Sequence, residues 1–167
     1  MVVQINGGKG AVVNTYWNTY DVGEKATVDY RFTDFHQTSL NHVIGSEMSG
    51  IYGKIINSSA CSDGCAQTGK VLLFNPNGII FGSGANINLN SFTASTLKYN
   101  GYDPSSENPG AGLLKLGKES GKNGVIHVHG AASGKEGAKI YGDKGVFLIS
   151  NKDVQLYNGS QISTSVN

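Results

Sequence analysis

The segment of residues 70–97 constrains the fold more than any other part of the chain. Residues 71–74 form an apolar run of strand length whose residue types favour a buried β-strand. Pro76 has no amide hydrogen and fixes its own φ, so the strand cannot continue through it. The order Asn75, Pro76, Asn77, Gly78 predicts a type I turn, because each residue type suits its position. We expect the Asn75 side chain to close the turn, Gly78 to take a positive φ, and a new strand to begin at Ile79.

Short apolar runs punctuated by Gly, Asn and Ser recur along the whole chain. Glycine accounts for 24 of 167 residues, about twice its usual share, and no long segment has helical periodicity. This pattern indicates an all-β solenoid or sandwich. Many strand starts lie about eight residues apart, the spacing expected for three short strands in each coil of a parallel β-helix. They fall near Val71, Ile79, Ile87, Val125, Ala138, Val146, Val154 and Ile162.

An ordered set of motifs resembles the N-terminal secretion domain of two-partner secretion exoproteins, the filamentous haemagglutinin type. That family carries a V-F-L-I-N-P-N-G-I core followed by F-G, an alternating strand and an A-S-T-L element. The matching residues here are 71–79, Phe81-Gly82, 85–89 and Ala94-Ser95-Thr96-Leu97. Upstream, Asn41-His42-Val43 and the Ser49, Ile51, Gly53 element resemble the family's N-x-V and S-x-I-x-G motifs. The upstream N-P-N-L motif of some members is absent here, which places the chain nearer the subgroup lacking it.

The resemblance implies an all-β fold, a right-handed parallel β-helix with N-terminal capping strands and extra-helical β-hairpins or loops. We expect one domain over residues 1–167. Its cap would take in about residues 1–35 and its coils residues 36–167, with an excursion near residues 98–123. The free strand edges of a solenoid would otherwise aggregate, which is the reason to expect a cap.

The resemblance also implies a function in recognition. Such a domain directs export of a large surface or secreted adhesin or toxin from a Gram-negative bacterium, through the periplasm. Its partner is a cognate outer-membrane transporter with POTRA domains, and the domain nucleates folding of the β-helix that follows. We expect a monomer that contacts host cells, if at all, through a missing C-terminal region. The turn motif is then the secretion motif, and the further recognition elements are Asn41, Val43, Ser49, Ile51, Gly53, Ala94, Ser95, Thr96 and Leu97.

Two other functions are alternatives to export. The first is a host-surface or carbohydrate-binding adhesin module. The second and more distant is a polysaccharide-degrading β-helix enzyme, which would need clustered carboxylates. The twelve acidic residues are spread along the chain without a D-x-D or D-D pair, so we expect no enzyme activity. Net charge is +1 and no basic patch of the kind that binds nucleic acid is present.

Histidine and cysteine residues raise the question of metal binding. His127 and His129 flank Val128, so in a strand both imidazoles share one face, which we expect to point outward. His36 and His42 are expected in a polar loop. Cys61 and Cys65 favour a disulfide, with free thiols and a metal site as alternatives. We therefore expect no cofactor and no metal.

The chain ends carry two further expectations. No signal peptide precedes Val2, and we expect Met1 to stand where a removed leader ended. Residues 162–167 have the pattern of an unfinished coil, so we expect the natural protein to continue beyond Asn167.

Overall fold

A computed structural model describes residues 1–8, 10–33, 36–58, 69–103 and 113–165. These residues form β-strands and connecting turns, and none of them lies in a helix that could span a membrane. Cys61 and Cys65 lie outside the described residues, and so does the expected disulfide. The strands are β1 Val2–Ile5, β2 Val12–Trp17, β3 Thr27–Phe32, β4 Thr38–Val43, β5 Ser49–Ile51, β6 Lys54–Ile56, β7 Lys70–Phe74, β8 Ile79–Phe81, β9 Asn86–Ser95, β10 Lys98–Asp103, β11 Leu113–Gly117, β12 Ile126–Val128, β13 Lys139–Ile149, β14 Val154–Leu156 and β15 Gln161–Ser163.

Three parallel walls build the fold. Wall 1 runs β1, β3, β6, the first part of β9, the first part of β13, then β15. Wall 2 runs β2, β4, β7, then the second parts of β9 and β13. Wall 3 runs β5, β8, β12, β14. Each step along a wall moves one coil forward in the chain. The expected parallel β-helix is confirmed.

Strands β9 and β13 pass from wall 1 into wall 2 without an intervening turn. In β9 the change falls between Asn88, which pairs with Ile56, and Ser91, which pairs with Lys70. In β13 the register shifts between Gly142 and Gly145 at the corresponding corner. The spacing predicted separate strands at Ala138 and Val146. The structure instead joins them, because the register shift lets the strand bend at the corner without ending there.

Inward-facing apolar side chains stack in columns, one residue from each coil. Ile51, Phe81 and Val128 form one column on wall 3, and each is fully buried. Ile55, Ile87 and Ile140 form another on wall 1 with at most 1% exposure. Because each coil covers the next, the core is continuous along the solenoid axis.

A buried amide lies at the centre of the first coils. The Asn41 side chain is fully buried, and its Oδ1 accepts hydrogen bonds from Trp17 Nε1 at 3.1 Å and from the Tyr30 hydroxyl at 3.0 Å. Its Nδ2 donates to Ser39 Oγ at 3.1 Å and to the Leu72 carbonyl at 3.2 Å. All the hydrogen-bonding groups of this amide are therefore used, and the bond to the Leu72 carbonyl reaches the next coil.

The Tyr30 hydroxyl also contacts the Tyr20 hydroxyl at 2.9 Å. Burial raises the pKa of Tyr20 to about 12, and the hydrogen bond with Tyr30 offsets part of that rise. Both phenols are therefore neutral at any physiological pH, and the network carries no buried charge.

Strands β10 and β11 form an antiparallel hairpin outside the three walls. It covers a small apolar cluster on wall 2 made by Leu40, Leu72 and Phe74, to which Tyr99 and Leu116 contribute. The expected extra-helical hairpin is thereby confirmed. At the other end, β1 and β2 pair in parallel with β3 and β4, so the segment expected as a cap contributes the first strands of walls 1 and 2.

The Asn41 network yields a stability prediction. Asn41→Ala should lower the free energy of unfolding by about 2 to 4 kcal/mol, because it leaves buried donors on Trp17 and Tyr30 without an acceptor. Asn86→Ala, at an exposed position on wall 1, is the matched control and should change stability by less than about 0.5 kcal/mol. Urea unfolding followed by circular dichroism measures both. An equal loss in the two variants would contradict a structural role for the network.

Candidate functional site

The predicted turn joins β7 on wall 2 to β8 on wall 3. The Gly78 amide donates to the Asn75 carbonyl at 3.1 Å, which closes the four-residue turn. The Asn75 Oδ1 atom accepts from the Asn77 amide at 3.0 Å. The turn and its closure by the Asn75 side chain are therefore confirmed.

Gly78 occupies a position that only glycine fills without strain. Its φ is +131°, as expected from the sequence. A Cβ atom there would lie 2.6 Å from Met48 Cε and 3.1 Å from the Val125 carbonyl oxygen. Any side chain would therefore meet both backbone strain and a steric clash.

Asn75 and Asn77 tie the turn to the preceding coil. The Asn75 side chain is fully buried, and its Nδ2 donates to the Glu47 carbonyl at 3.0 Å and to Ser49 Oγ at 2.9 Å. Asn77 Nδ2 donates to the Gly45 carbonyl at 2.9 Å. Side-chain amides thus add to the backbone hydrogen bonds between coils at a corner where the walls change direction.

The following coils continue this arrangement. Lys122 Nζ donates to Asn77 Oδ1 at 2.6 Å, and Asn151 Nδ2 donates to the Lys122 carbonyl. Thr96 Oγ1 donates to the Gly124 carbonyl at 3.1 Å and accepts from the Asn151 amide at 2.8 Å. We call this set, from Ser49 through Asn75 and Asn77 to Thr96, Lys122 and Asn151, the corner stack. It links several coils through polar side chains.

The other expected recognition elements are also structural in the folded domain. Asn41 belongs to the buried amide network, and Ser49 and Thr96 to the corner stack. Gly53 lets the chain approach closely, since a Cβ there would lie 2.2 Å from the Gly23 carbonyl oxygen. The remaining elements are buried apart from the half-buried Leu97: they are Val43, Ile51, Ala94 and Ser95. The folded domain therefore leaves only Pro76, Asn77 and Leu97 of these elements partly accessible to a partner.

A groove that the sequence did not suggest lies beside the turn. One side of the groove is an aromatic ladder made by Tyr16, His42 and Phe74, which are in register on β2, β4 and β7. Tyr99 of the hairpin also lines the groove and contacts His42 and Phe74. Ring centres along the ladder are 5.0 Å apart from Tyr16 to His42 and 5.2 Å from His42 to Phe74. The groove encloses about 240 Å³.

His42 thus lies in strand β4, and the expectation of a polar loop was wrong. Burial lowers the pKa of His42, so its imidazole is neutral at physiological pH and stacks as an aromatic ring. The signal that was missed is coil periodicity. Tyr16, His42 and Phe74 occupy equivalent positions, but the intervening segments differ in length.

Catalytic and metal chemistry would need clustered ligands. Across the five described ranges, no group of three or more His, Cys, Asp or Glu side chains lies close enough to hold one metal ion. His127 of β12 and His129 just after it lie on the outer face of wall 3, while Ile126 and Val128 are fully buried. The predicted alternation of this strand is confirmed.

The chain is thus a parallel β-helix with polar turns stacked at its corners. Over residues 1–164 the chain matches the model of the family described as the TPS secretion domain. The protein therefore belongs to the TPS secretion domain family, TPS standing for two-partner secretion.

Known proteins agree with this assignment. The chain is 26% identical over 151 residues to a heme/hemopexin-binding protein of Haemophilus influenzae, covering 89% of this chain and 15% of that protein. It is 36% identical over 80 residues to a second heme/hemopexin-binding protein of Haemophilus influenzae, covering 48% of this chain and 8% of that one. The crystal structure of the HMW1 secretion domain from Haemophilus influenzae superposes with a TM-score of 0.66 at 24% identity, covering 98% of this chain and 38% of that one.

Family membership carries a general functional conclusion. The family is one of secretion domains of exoproteins, exported across the outer membrane with a partner transporter in that membrane. The present chain spans about 15% of the length of the first relative, so the conclusion concerns this domain and not a complete exoprotein.

The turn yields the second prediction. Gly78→Ala should lower the free energy of unfolding by about 1 to 3 kcal/mol, because the Cβ meets Met48 and the backbone is strained. Gly23→Ala, where a Cβ would meet nothing within 4 Å, is the matched control and should be nearly neutral. Chemical unfolding of the purified domain compares them. Equal stabilities would show that the turn tolerates a side chain.

Proposed function

We propose that this domain is the N-terminal export signal of a large surface or secreted exoprotein, read by the POTRA domains of a cognate transporter before it folds. The supporting observation is the burial of the motif. Asn75, Ser49 and Thr96 are at most 1% exposed, so a partner reaches them only while the chain is extended. The periplasm is the compartment in which such an unfolded chain would meet those domains.

Strand addition is the mode of recognition that suits an extended chain. The segment of residues 70–81 contains two short strands around the turn, and its backbone groups are unpaired until the coils form. A partner with a free sheet edge can pair with those groups, while pockets for apolar side chains supply selectivity. Folding outside the cell then competes with this pairing and releases the chain.

We further propose that the folded domain is a template for the coil that follows it. At the C-terminal end, Val154, Leu156 and Ile162 are 41%, 59% and 39% exposed. They are in register with the fully or almost fully buried Ile126, Val128 and Ile140 of the preceding coil. The last coil therefore offers an apolar face and free strand edges of the kind that another coil covers.

The alternatives receive less support. A carbohydrate-binding role would rest on the aromatic groove, but His42 and Phe74 stack against their neighbours and leave mainly the 65% exposed Tyr16 to face a sugar. A polysaccharide-degrading activity would require paired carboxylates, which the sequence pattern does not supply. The names of the relatives suggest haem or haemopexin capture for a complete exoprotein, in which this domain would supply export.

Recognition before folding can be tested with the transporter's soluble POTRA domains. A synthetic peptide of residues 69–97 should bind with a dissociation constant on the order of micromolar, about −8 kcal/mol. The folded domain should bind at least about tenfold more weakly, because its motif is buried. Chelator should change neither value. Calorimetric titration measures both.

A peptide of the same composition in scrambled order is the control for that titration. Equal binding of the peptide and the folded domain would contradict recognition of the extended chain. Failure of both to bind would contradict the role of residues 69–97 as the signal.

The template is tested in the full-length exoprotein by Leu156→Asp. A charge at this apolar end should slow the appearance of protease-resistant coils after the domain, because desolvating an unpaired carboxylate opposes docking. Ile44→Asp, at a residue 69% exposed beside the groove, is the matched control. Both changes should alter the stability of the isolated domain by less than about 1 kcal/mol. Wild-type rates of coil formation in Leu156→Asp would exclude templating through this face.

A further inference from the structure

Two histidines and a tyrosine are in contact on the outer face of wall 3, and none of them belongs to the proposed export motif. His127 on β12 lies between Ile80 of β8 and Gln155 of β14. His129 is two residues further along, on the same face. The ring centres of the two histidines are 6.1 Å apart, and His129 is 5.2 Å from the Tyr157 ring.

The hydrogen bonds around Tyr157 select one tautomer of His127. The Tyr157 hydroxyl donates its single proton to Gln155 Oε1 at 3.0 Å. Its oxygen lies 3.1 Å from His127 Nδ1, and a proton on Nδ1 makes that contact a hydrogen bond while Tyr157 donates to Gln155. The Nε2 atom of His127 then carries a free lone pair. Metal-binding histidines are commonly oriented in this way by a partner on the other ring nitrogen.

The separation of the two imidazoles also fits a shared ion. A metal bound through Nε2 lies about 2.0 to 2.1 Å from that atom, hence about 3.15 Å from the ring centre. Two rings on one ion can therefore have centres up to about 6.3 Å apart. The observed 6.1 Å is within this limit, at a wide angle between the two bonds. A small rotation of either side chain would narrow that angle.

We propose that His127 and His129 form a surface site for a divalent late transition metal, with Tyr157 as the positioning residue. Imidazole nitrogens favour such ions, and the affinity order places Cu²⁺ above Ni²⁺ and Zn²⁺. Two protein nitrogens leave the other coordination positions to water. From the sequence alone, we expected these histidines to lie on an outward face without a metal. The sequence could not show that Tyr157 and Gln155, one coil later, orient the His127 tautomer.

Titration of untagged domain with Cu²⁺ tests the site, by calorimetry and by electron paramagnetic resonance of the bound ion. We expect one Cu²⁺ per chain, a dissociation constant on the order of micromolar, and a spectrum with two imidazole nitrogens. His127→Gln and His129→Gln should each weaken binding at least tenfold and leave one nitrogen or none. His42→Gln, a histidine of the groove, is the matched control and should leave binding and spectrum unchanged.

Tyr157→Phe separates a positioning role from a merely structural one. It keeps the ring but loses the hydroxyl that fixes His127, so affinity should fall about tenfold while the two-nitrogen spectrum is retained. Thermal unfolding of each variant without metal shows whether the fold is intact. Cu²⁺ bound by folded His127→Gln/His129→Gln as tightly as by the wild type would overturn the proposal. Unchanged affinity in Tyr157→Phe would remove Tyr157 from it.

Discussion

The inward-facing apolar residues of each coil are covered mainly by the coil before it and the coil after it, so each coil needs its neighbours to form a core. The columns of Ile51, Phe81 and Val128, or of Ile55, Ile87 and Ile140, form only when successive strands are in parallel register. This register in turn requires that the corners of successive coils lie directly above one another. The corner stack provides this, since the Asn75 amide bonds one coil back to Ser49 and Lys122 bonds to Asn77 from one coil ahead.

The same residues are proposed to serve two states of the chain. In the extended chain, the segment around Asn75 and Gly78 would offer unpaired backbone hydrogen-bonding groups and apolar side chains to a transporter domain. Folded, its amides and its positive-φ glycine are used within the corner and are inaccessible. Under this proposal recognition and folding are mutually exclusive, so export would have a direction without a separate release step.

The two ends of the solenoid differ in a way that matches this order of events. At the start, β1 and β2 are the outermost strands of walls 1 and 2, and Asn41 with its hydroxyl and indole partners fixes the first coils. At the end, Val154, Leu156 and Ile162 remain exposed. The proposed addition of coils at the C-terminal end would cover this apolar area.

Residue types at fixed positions were enough to predict the turn and the facing of side chains along a strand. The turn at Asn75 to Gly78 follows from proline, asparagine and glycine at fixed positions, and the alternation around His127 follows from the two-residue period of a strand. Glycine-punctuated apolar runs indicated an all-β solenoid or sandwich, and the spacing of the strand starts agreed with coils. Only the tertiary structure decided which side chains meet. The Asn75–Ser49, Lys122–Asn77 and His127–Tyr157 pairs are 26, 45 and 30 positions apart. Coils here differ in length because loops and a hairpin interrupt them, so sequence spacing could not identify those partners, the aromatic ladder, or the burial of Asn41.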